Sequence, residues 1–242
     1  TPNPCIRCNP ALKFRLLAEE ADRLGIDLIA TGHYARVVQD EDGLYRIHRP
    51  ESEARDQSYM LYRLEQDILK RLVLPLGEFE KDDIREMARE SGLACADAPD
   101  SMEICFIPDG DYTGFIRARG LTDRSGRFIG PEGQDLGPHK GVASYTVGQR
   151  RGLGIALGEP VFVQRILENG DVQLGRAGQE FARRVRLRDW AGPSEMPPAG
   201  SYLARVRSAA KPAACRFDGA EWLEFAEPVR APAPGQSAVL YA

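Results

Sequence analysis

The sequence predicts an α/β portion followed by mostly-β modules. Three observations carry that prediction. Near the N-terminus an apolar-striped helix, a stopping glycine and a short apolar strand follow one another, which is the rhythm of a parallel α/β sheet. After Asp100 helical periodicity fades, and glycine and proline become frequent. From Val185 onward short strands recur at the spacing of a small β-barrel.

The elements follow in order. Asn9-Pro10 reads as a helix start, with Asn as N-cap and Pro at the first helical position. Leu12, Leu16, Leu17, Ala21 and Leu24 form its apolar stripe, and Gly25 ends it. Asp27–Thr31 is a short buried-type strand. Ala35–Val38 and Leu44–Ile47 flank Asp40-Glu-Asp-Gly43 as a β-hairpin. Ser58–Leu64 and Asp67–Val73 read as helical. Glu80–Ser91 is a charged amphipathic helix with Ile84, Met87 and Ala88 inward and Gly92 as its stop. Residues 126–158 are turn-rich and contain the run Gly148-Gln-Arg-Arg-Gly-Leu-Gly154. Val161–Leu167 and Val172–Leu174 pair around Asn169-Gly-Asp171. Strands are predicted at Val185–Trp190, Ser201–Arg207, Ala214–Phe217, Trp222–Phe225 and Ser237–Tyr241.

Composition narrows the class. The 242 residues are 43% hydrophobic and 28% charged, the balance of a soluble globular protein. No apolar run approaches the ~18 residues that span a bilayer, and no leader opens the sequence. Five cysteines are an odd number, which argues against a disulfide framework and for the reducing cytoplasm. Residue 1 is Thr, and both ends read as interior segments, so the sequence is expected to be a piece of a longer chain.

Net charge is −4, unevenly spread. Residues 1–110 hold 14 basic and 22 acidic side chains, and 111–242 hold 18 and 14. The stretch 183–216 concentrates Arg183, Arg184, Arg186, Arg188, Arg205, Arg207, Lys211 and Arg216. Such cations suit a polyphosphate backbone. They equally suit a solvated strand face.

Cys5-Ile-Arg-Cys8 precedes the predicted helix start, whose free N–H groups and partial positive charge lower a nearby thiol pKa. One C-x-x-C without a second pair is a weak metal signal, and two ordinary loop cysteines satisfy the spacing equally well. For Cys105, in Asp100–Ile107, the plain alternative to a functional role is a buried strand cysteine; Cys95 and Cys215, flanked by Ala, fit burial better and are assigned to it. Thr31-Gly32-His33 lies at the carboxyl end of a strand, where open α/β sheets bind ligands.

The segments TPNPCIRCN, LIATGHYA, RDQSYML, LPLGEFEKDDIR, DSMEICFI, YTVGQRRGLG and PGQSAVLY, in that order, closely resemble the bacterial tRNA-specific 2-thiouridylases, the MnmA/TrmU family. The resemblance covers essentially the whole sequence. It implies residues 1–107 as the later part of a PP-loop ATP pyrophosphatase-type domain. It implies 108–177 as a central mostly-β domain and 178–242 as a tRNA-binding β-barrel. It implies a tRNA-uridine 2-sulfurtransferase, which replaces the C2 oxygen of the wobble uridine with sulfur. ATP, with Mg2+, activates that oxygen by adenylation. Cys105 matches the cysteine that carries a persulfide. Cys8 matches the one that attacks it and closes a transient disulfide with Cys105, a thiol-exchange cycle. Asn3, Pro4 and Cys5 match the target-base segment, Gly32 an ATP contact and His33 a tRNA contact. Arg55, Asp56 and Gln57 match a tRNA-contacting triplet. Arg207 and Ser208, more loosely, and Gln236 match tRNA contacts of the barrel. The implied partners are tRNA and a persulfide donor, either a sulfur-relay protein or a cysteine desulfurase.

Two departures stand out. Cys5 occupies a position where some relatives have Asp, which removes a carboxylate. The family's SGGxDS pyrophosphate loop and its glycine-rich tail do not occur in the 242 residues, so these residues alone are expected to be unable to adenylate tRNA. Two other readings stay open: a [4Fe–4S] cluster on Cys5, Cys8 and Cys105 as sulfur carrier, and a non-catalytic tRNA-binding remnant. A thioredoxin-type redox role fails, because the C-x-x-C follows a Pro-rich loop and not a strand.

Overall fold

The computed structural model describes residues 3–99, 104–107, 109–120, 123–192 and 195–241. They divide into two compact units: the described residues of Asn3–Asp100 with Arg188–Pro197, and those of Ser101–Leu187 with Pro198–Ala242. Asp100, Ser101, Met102 and Glu103 of the DSMEICFI segment lie outside the described residues.

The first unit opens on one unbroken helical stretch: α1 (Cys5–Cys8), a π-helical part over Asn9–Phe14, then α2 (Arg15–Leu24). The expected start at Asn9-Pro10 is therefore corrected. Asn3-Pro4 carries the same signature and is the one used. Asn3 Oδ1 accepts the Cys5 N–H at 3.0 Å, and Pro4 sits where a missing N–H costs nothing. Asn9 is instead buried at 3% exposure and donates from Nδ2 to the Met60 carbonyl at 3.0 Å. Pro10 has no N–H for the helical ladder, and the widened π geometry carries the chain past that gap. Gly25 ends α2 at φ +67°, as predicted.

The buried face of this helix is Phe14, Ala18 and Ala21, with Leu17 packed beside them. Leu12, Leu16 and Leu24 of the predicted stripe are about half exposed. Two apolar rows compete, and the one carrying Phe14 has the larger surface to remove from water.

Strand β1 (Ile29–Ala30) runs parallel to β4 (Leu72–Val73), with Ile29 opposite Leu72. Helix α3 covers only Gln66–Leu69, so the predicted helix through Val73 is corrected: its last residues join the sheet because Leu72 is buried there. The predicted hairpin is present as β2 (Arg36–Gln39) and β3 (Tyr45–His48), and Asp40 Oδ1 accepts the Asp42 and Leu44 N–H groups across its turn. Ser58–Leu64 contains only a 3-10 turn at Ser58–Met60. Helix α4 (Lys81–Glu90) buries no residue fully, and Met87 is exposed, not inward. Phe14, Ala21, Ile29, Leu61, Leu69 and Leu72 form the centre of this unit's core.

The second unit begins with a helix the periodicity did not reveal, α5 (Tyr112–Ala118). Its signal was the capping residue: Asp111 Oδ1 accepts the Gly114 N–H at 2.9 Å and the Thr113 hydroxyl at 3.0 Å. A four-stranded sheet follows, in the order β6 (Asp135–Pro138), β5 (Arg127–Ile129), β8 (Val172–Arg176), β7 (Val161–Ile166). β7 and β8 are the predicted hairpin, while β5 and β8 pair in parallel. Phe128, Tyr145, Leu153, Val163 and Leu174 pack in its core. Last comes an antiparallel five-stranded sheet of β9 (Phe181–Arg186), β10 (Gly200–Arg205), β11 (Ala213–Phe217), β12 (Trp222–Arg230) and β13 (Val239–Tyr241). Its order is β13-β10-β11-β12-β9, around a separate core of Phe217, Leu223 and Phe225. The α/β portion, the small mostly-β part and the β C-terminal part are thus all present.

Candidate functional site

The first unit brings three of the singled-out segments together. Cys5 and Cys8 share the first helical turn, both half-buried. The positive end of that helix lies at Cys5, so the premise that Cys8 precedes a helix start is corrected. The turn is tied to the 56–60 segment at Met60: Asn3 Nδ2 donates to its sulfur at 3.3 Å and Asn9 Nδ2 to its carbonyl.

The 56–60 segment is in turn locked to the loop after β1. Gln57 Oε1 accepts the Tyr34 N–H at 2.8 Å, and the Gln57 N–H donates to the Tyr34 carbonyl at 2.9 Å. Asp56 is turned inward, its side chain 3% exposed. It accepts Arg49 Nε at 3.1 Å and both the N–H and hydroxyl of Ser58, at 2.9 and 2.6 Å. Arg55 alone of the triplet is exposed.

His33 stands at the carboxyl end of β1. Its Nδ1 lies 2.9 Å from the Thr31 hydroxyl, and its ring centroid is 5.7 Å from that of Phe14. Burial pushes its pKa down to about 4, with the Lys13 charge acting in the same direction. The ring is therefore neutral near pH 7, able to donate or accept one hydrogen bond but carrying no charge for a phosphate. Gly32 is exposed, and a β-carbon there would meet only Leu76 Cδ1, at 3.5 Å. The backbone at the strand end is open to an incoming group.

A groove of about 780 Å³ is lined by Arg7, Arg15, Arg63, Lys70 and Arg71 together with the carboxylates Glu19, Asp22, Glu65 and Asp67. Neither Gly32 nor His33 lines it. Sequence reasoning passed over these cations because they are spread along the chain from Arg7 to Arg71. Arg71 is already committed to Asp22 and to the Ile26 and Asp27 carbonyls.

Cys105 belongs to the second unit. It sits in a turn closed by the Ile107 N–H on the Ile104 carbonyl, at 2.8 Å. The thiol is exposed, which sets aside the alternative of a buried strand cysteine. Beside it Phe106 packs on Phe115, centroids 5.5 Å apart, and the Arg119 guanidinium stacks 3.4 Å over Phe115. Cys95 is exposed, against expectation; Cys215 is buried as expected, and burial raises its pKa.

The basic stretch divides on folding. Arg205 is 5% exposed and donates from Nη2 to the Ser208 carbonyl, so it is a scaffold residue and not a surface cation. Arg184 and Arg186 lie 4.5 and 5.9 Å from the Trp222 ring, and Arg186 also pairs with Glu221 at 2.8 Å. In register Arg184, Glu224 and Arg216 stand abreast on β9, β12 and β11. Arg207, Ser208 and Gln236 are half-buried in this unit.

Among the described residues no three His, Cys, Asp or Glu side chains lie together as metal ligands. Cys5 and Cys8 supply two thiols of the first unit; a cluster on Cys5, Cys8 and Cys105 takes a ligand from the second unit as well. No helix of the described residues is long and apolar enough to cross a membrane.

An α/β unit with two cysteines in its first helical turn, followed by two β parts, defines a class that comparison with known proteins makes specific. Residues 1–109 match the tRNA methyl transferase HUP domain, 114–176 the tRNA methyl transferase PRC-barrel domain, and 183–242 the aminomethyltransferase beta-barrel domain. The whole chain aligns with the tRNA-specific 2-thiouridylase MnmA of Carboxydothermus hydrogenoformans at 44% identity, covering 68% of that protein. It aligns with that of Chloroflexus aurantiacus at 43%, covering 69%, and with that of Leptospira biflexa at 40%, covering 65%. The chain belongs to the MnmA family of tRNA-specific 2-thiouridylases.

Proposed function

We propose that this protein serves 2-thiouridine synthesis in tRNA, as its relatives' names state for them. The family model for residues 1–109 is titled a methyl transferase; the free thiols at Cys8 and Cys105 favour sulfur chemistry. The observation that carries the reading is that both thiols are free and reachable, Cys105 exposed and Cys8 half-buried.

In this proposal a donor thiol persulfide, from a sulfur-relay protein or a cysteine desulfurase, passes its terminal sulfur to Cys105. The uridine O2 attacks the α-phosphorus of ATP, and pyrophosphate leaves. The persulfide sulfur is delivered to C2 and AMP leaves with the old oxygen. The Cys8 thiolate breaks the Cys105 S–S bond: the sulfane sulfur gains two electrons, and the two cysteines lose two on forming a disulfide. An external thiol reductant resets them.

Asn3, Pro4 and Cys5 would face the target base, with Asn3 fixed by its Cys5 and Met60 contacts. Gly32 would leave room for ATP with its Mg2+, and neutral His33 would hydrogen-bond RNA and not ion-pair with it. Arg55 would touch tRNA directly, whereas Asp56 and Gln57 would act by holding the loop. Arg207, Ser208 and Gln236 would contact tRNA from the β-barrel. The boundaries 1–107, 108–177 and 178–242 are part of the proposal, supported by three separate hydrophobic cores. The SGGxDS loop is not among the 242 residues, so these residues alone are proposed not to adenylate tRNA.

Sulfur loading tests the chemistry without needing ATP. The chain incubated with a small-molecule persulfide donor is expected to gain one sulfur on the Cys105 peptide by mass spectrometry. Cys105→Ser is expected to lose that label and Cys8→Ser to keep it. Label spread over Cys95 as readily as Cys105 would sink the assignment.

A further inference from the structure

The run Gly148-Gln-Arg-Arg-Gly has no part in the scheme above, yet the loop it forms is tightly built. Buried Tyr145 and Leu153 anchor its two ends in the core of the four-stranded sheet. Its middle is hooked to β7: the Gly148 N–H donates to the Val163 carbonyl at 2.7 Å, and the Val163 N–H to the Gln149 carbonyl at 2.9 Å. The Gln149 side chain closes the loop on itself, accepting the Thr146 N–H and donating to the Arg151 carbonyl, both at 3.0 Å.

Gly148 has φ +82°, and a β-carbon there would lie 2.5 Å from the Ala231 methyl and 3.3 Å from Arg207 Nη1. The Arg230 guanidinium reaches the Gly148 carbonyl at 3.4 Å. The loop therefore abuts Arg207, just past β10 of the five-stranded sheet, within the same unit.

Packing accounts for Tyr145, Gly148, Gln149 and Leu153. It asks nothing of Arg150 and Arg151. Both are exposed, and among the described residues neither guanidinium has an ion-pair, hydrogen-bond or ring partner. No carboxylate lies within residues 145–154. Two adjacent free forks on a braced loop match the oxygens of neighbouring phosphates, and bracing the loop in advance lowers the ordering cost of binding.

We propose that the Gly148–Arg151 loop is a phosphate-binding element for an RNA backbone, extending the surface at Arg207 onto the central β part. This rests on the tRNA reading above. As a contact to phosphate and not to base edges, it positions the RNA without reading its sequence.

The test is filter binding of two tRNA transcripts with different anticodons to the chain, titrated from about 50 to 200 mM salt. Arg150→Gln with Arg151→Gln is expected to weaken binding about tenfold for both transcripts and to make the log–log salt slope shallower by about 2. Arg150→Lys with Arg151→Lys is expected to restore most of the slope, which a packing defect would not allow. Wild-type affinity and slope in the double Gln variant would overturn the inference and leave the tRNA reading standing. Weakening confined to one transcript would overturn it in favour of base contact. Salt-independent binding, or none, by the wild-type chain would overturn the tRNA reading itself and the inference with it.

Discussion

The polar side chains of the two units are used in opposite ways. Around α1 they face each other. Asn3, Asn9, Asp56 and Gln57 spend their hydrogen bonds on Met60, Ser58, Arg49 and Tyr34, and burial holds His33 neutral. In the β unit, buried Arg205 and Glu180 apart, the singled-out arginines of the strand faces and of the 148–151 loop face water. Arg184 and Arg186 lie over Trp222, and among the described residues the guanidiniums of Arg150 and Arg151 have no partner. The first arrangement fixes geometry, so single changes there should be costly and insensitive to salt. The second supplies charge, so changes there should be small, additive and strongly salt-dependent.

The largest contrast is expected at Asp56. Its carboxylate answers two donors of Ser58 and the Arg49 guanidinium. Asp56→Ala leaves those donors short of an acceptor and should cost about 1–3 kcal/mol in urea unfolding. An equal loss at low and high salt supports a geometric role; a loss that vanishes in high salt would erase the contrast.

His33 sharpens the comparison through pH. Its pKa is about 4 in the folded chain against an ordinary 6.5, so between those values the unfolded chain binds more protons. The stability tied to this residue is complete above pH 6.5, declines as pH falls through the window and is gone below about 4. His33→Gln should flatten that part of the unfolding-midpoint profile. A wild-type profile already flat there would contradict the burial argument.

The smallest effect is expected at Arg184. Arg184→Gln removes an exposed cation–π contact worth about 0.5–1 kcal/mol. It should reduce the salt slope of tRNA binding by about 1 if that guanidinium meets phosphate. An unchanged slope would place Arg184 among the solvated strand cations.

The broad architecture was legible because it rests on local signals: Gly25 as a stop, Asp40–Gly43 as a hairpin turn, short strands late in the chain. Misreadings came where two local signals competed. Asn3-Pro4 and Asn9-Pro10 are equivalent helix starts by composition, and the buried partner of Asn9, the Met60 carbonyl, lies far along the chain. Leu12 and Leu16 are as apolar as Leu17, but only the row with Phe14 meets the sheet. Leu72-Val73 read as helix because its strand partner, Ile29-Ala30, is remote. The site showed the same limit. Arg205 and Arg207 are alike in sequence and two apart, so alternation does not separate them; Arg205 is buried at the end of β10, and Arg207, past the strand, is half-buried. Asp56 reads as a contact residue until the fold supplies Arg49. The thiols' exposure was beyond reach, since nothing near Cys105 in sequence distinguishes a turn from a strand.

The π-helical part between α1 and α2 has a consequence for helical phase. A π turn carries an extra residue relative to α geometry. If the same six residues relaxed to ordinary α spacing, α1 would swing about 100° around the axis relative to α2. Asn9 would leave Met60, and Cys5 and Cys8 would turn with it. The π turn absorbs the extra residue and keeps the thiols in phase, so a further one-residue insertion here should be far less tolerable than a one-residue deletion, which α spacing can take up.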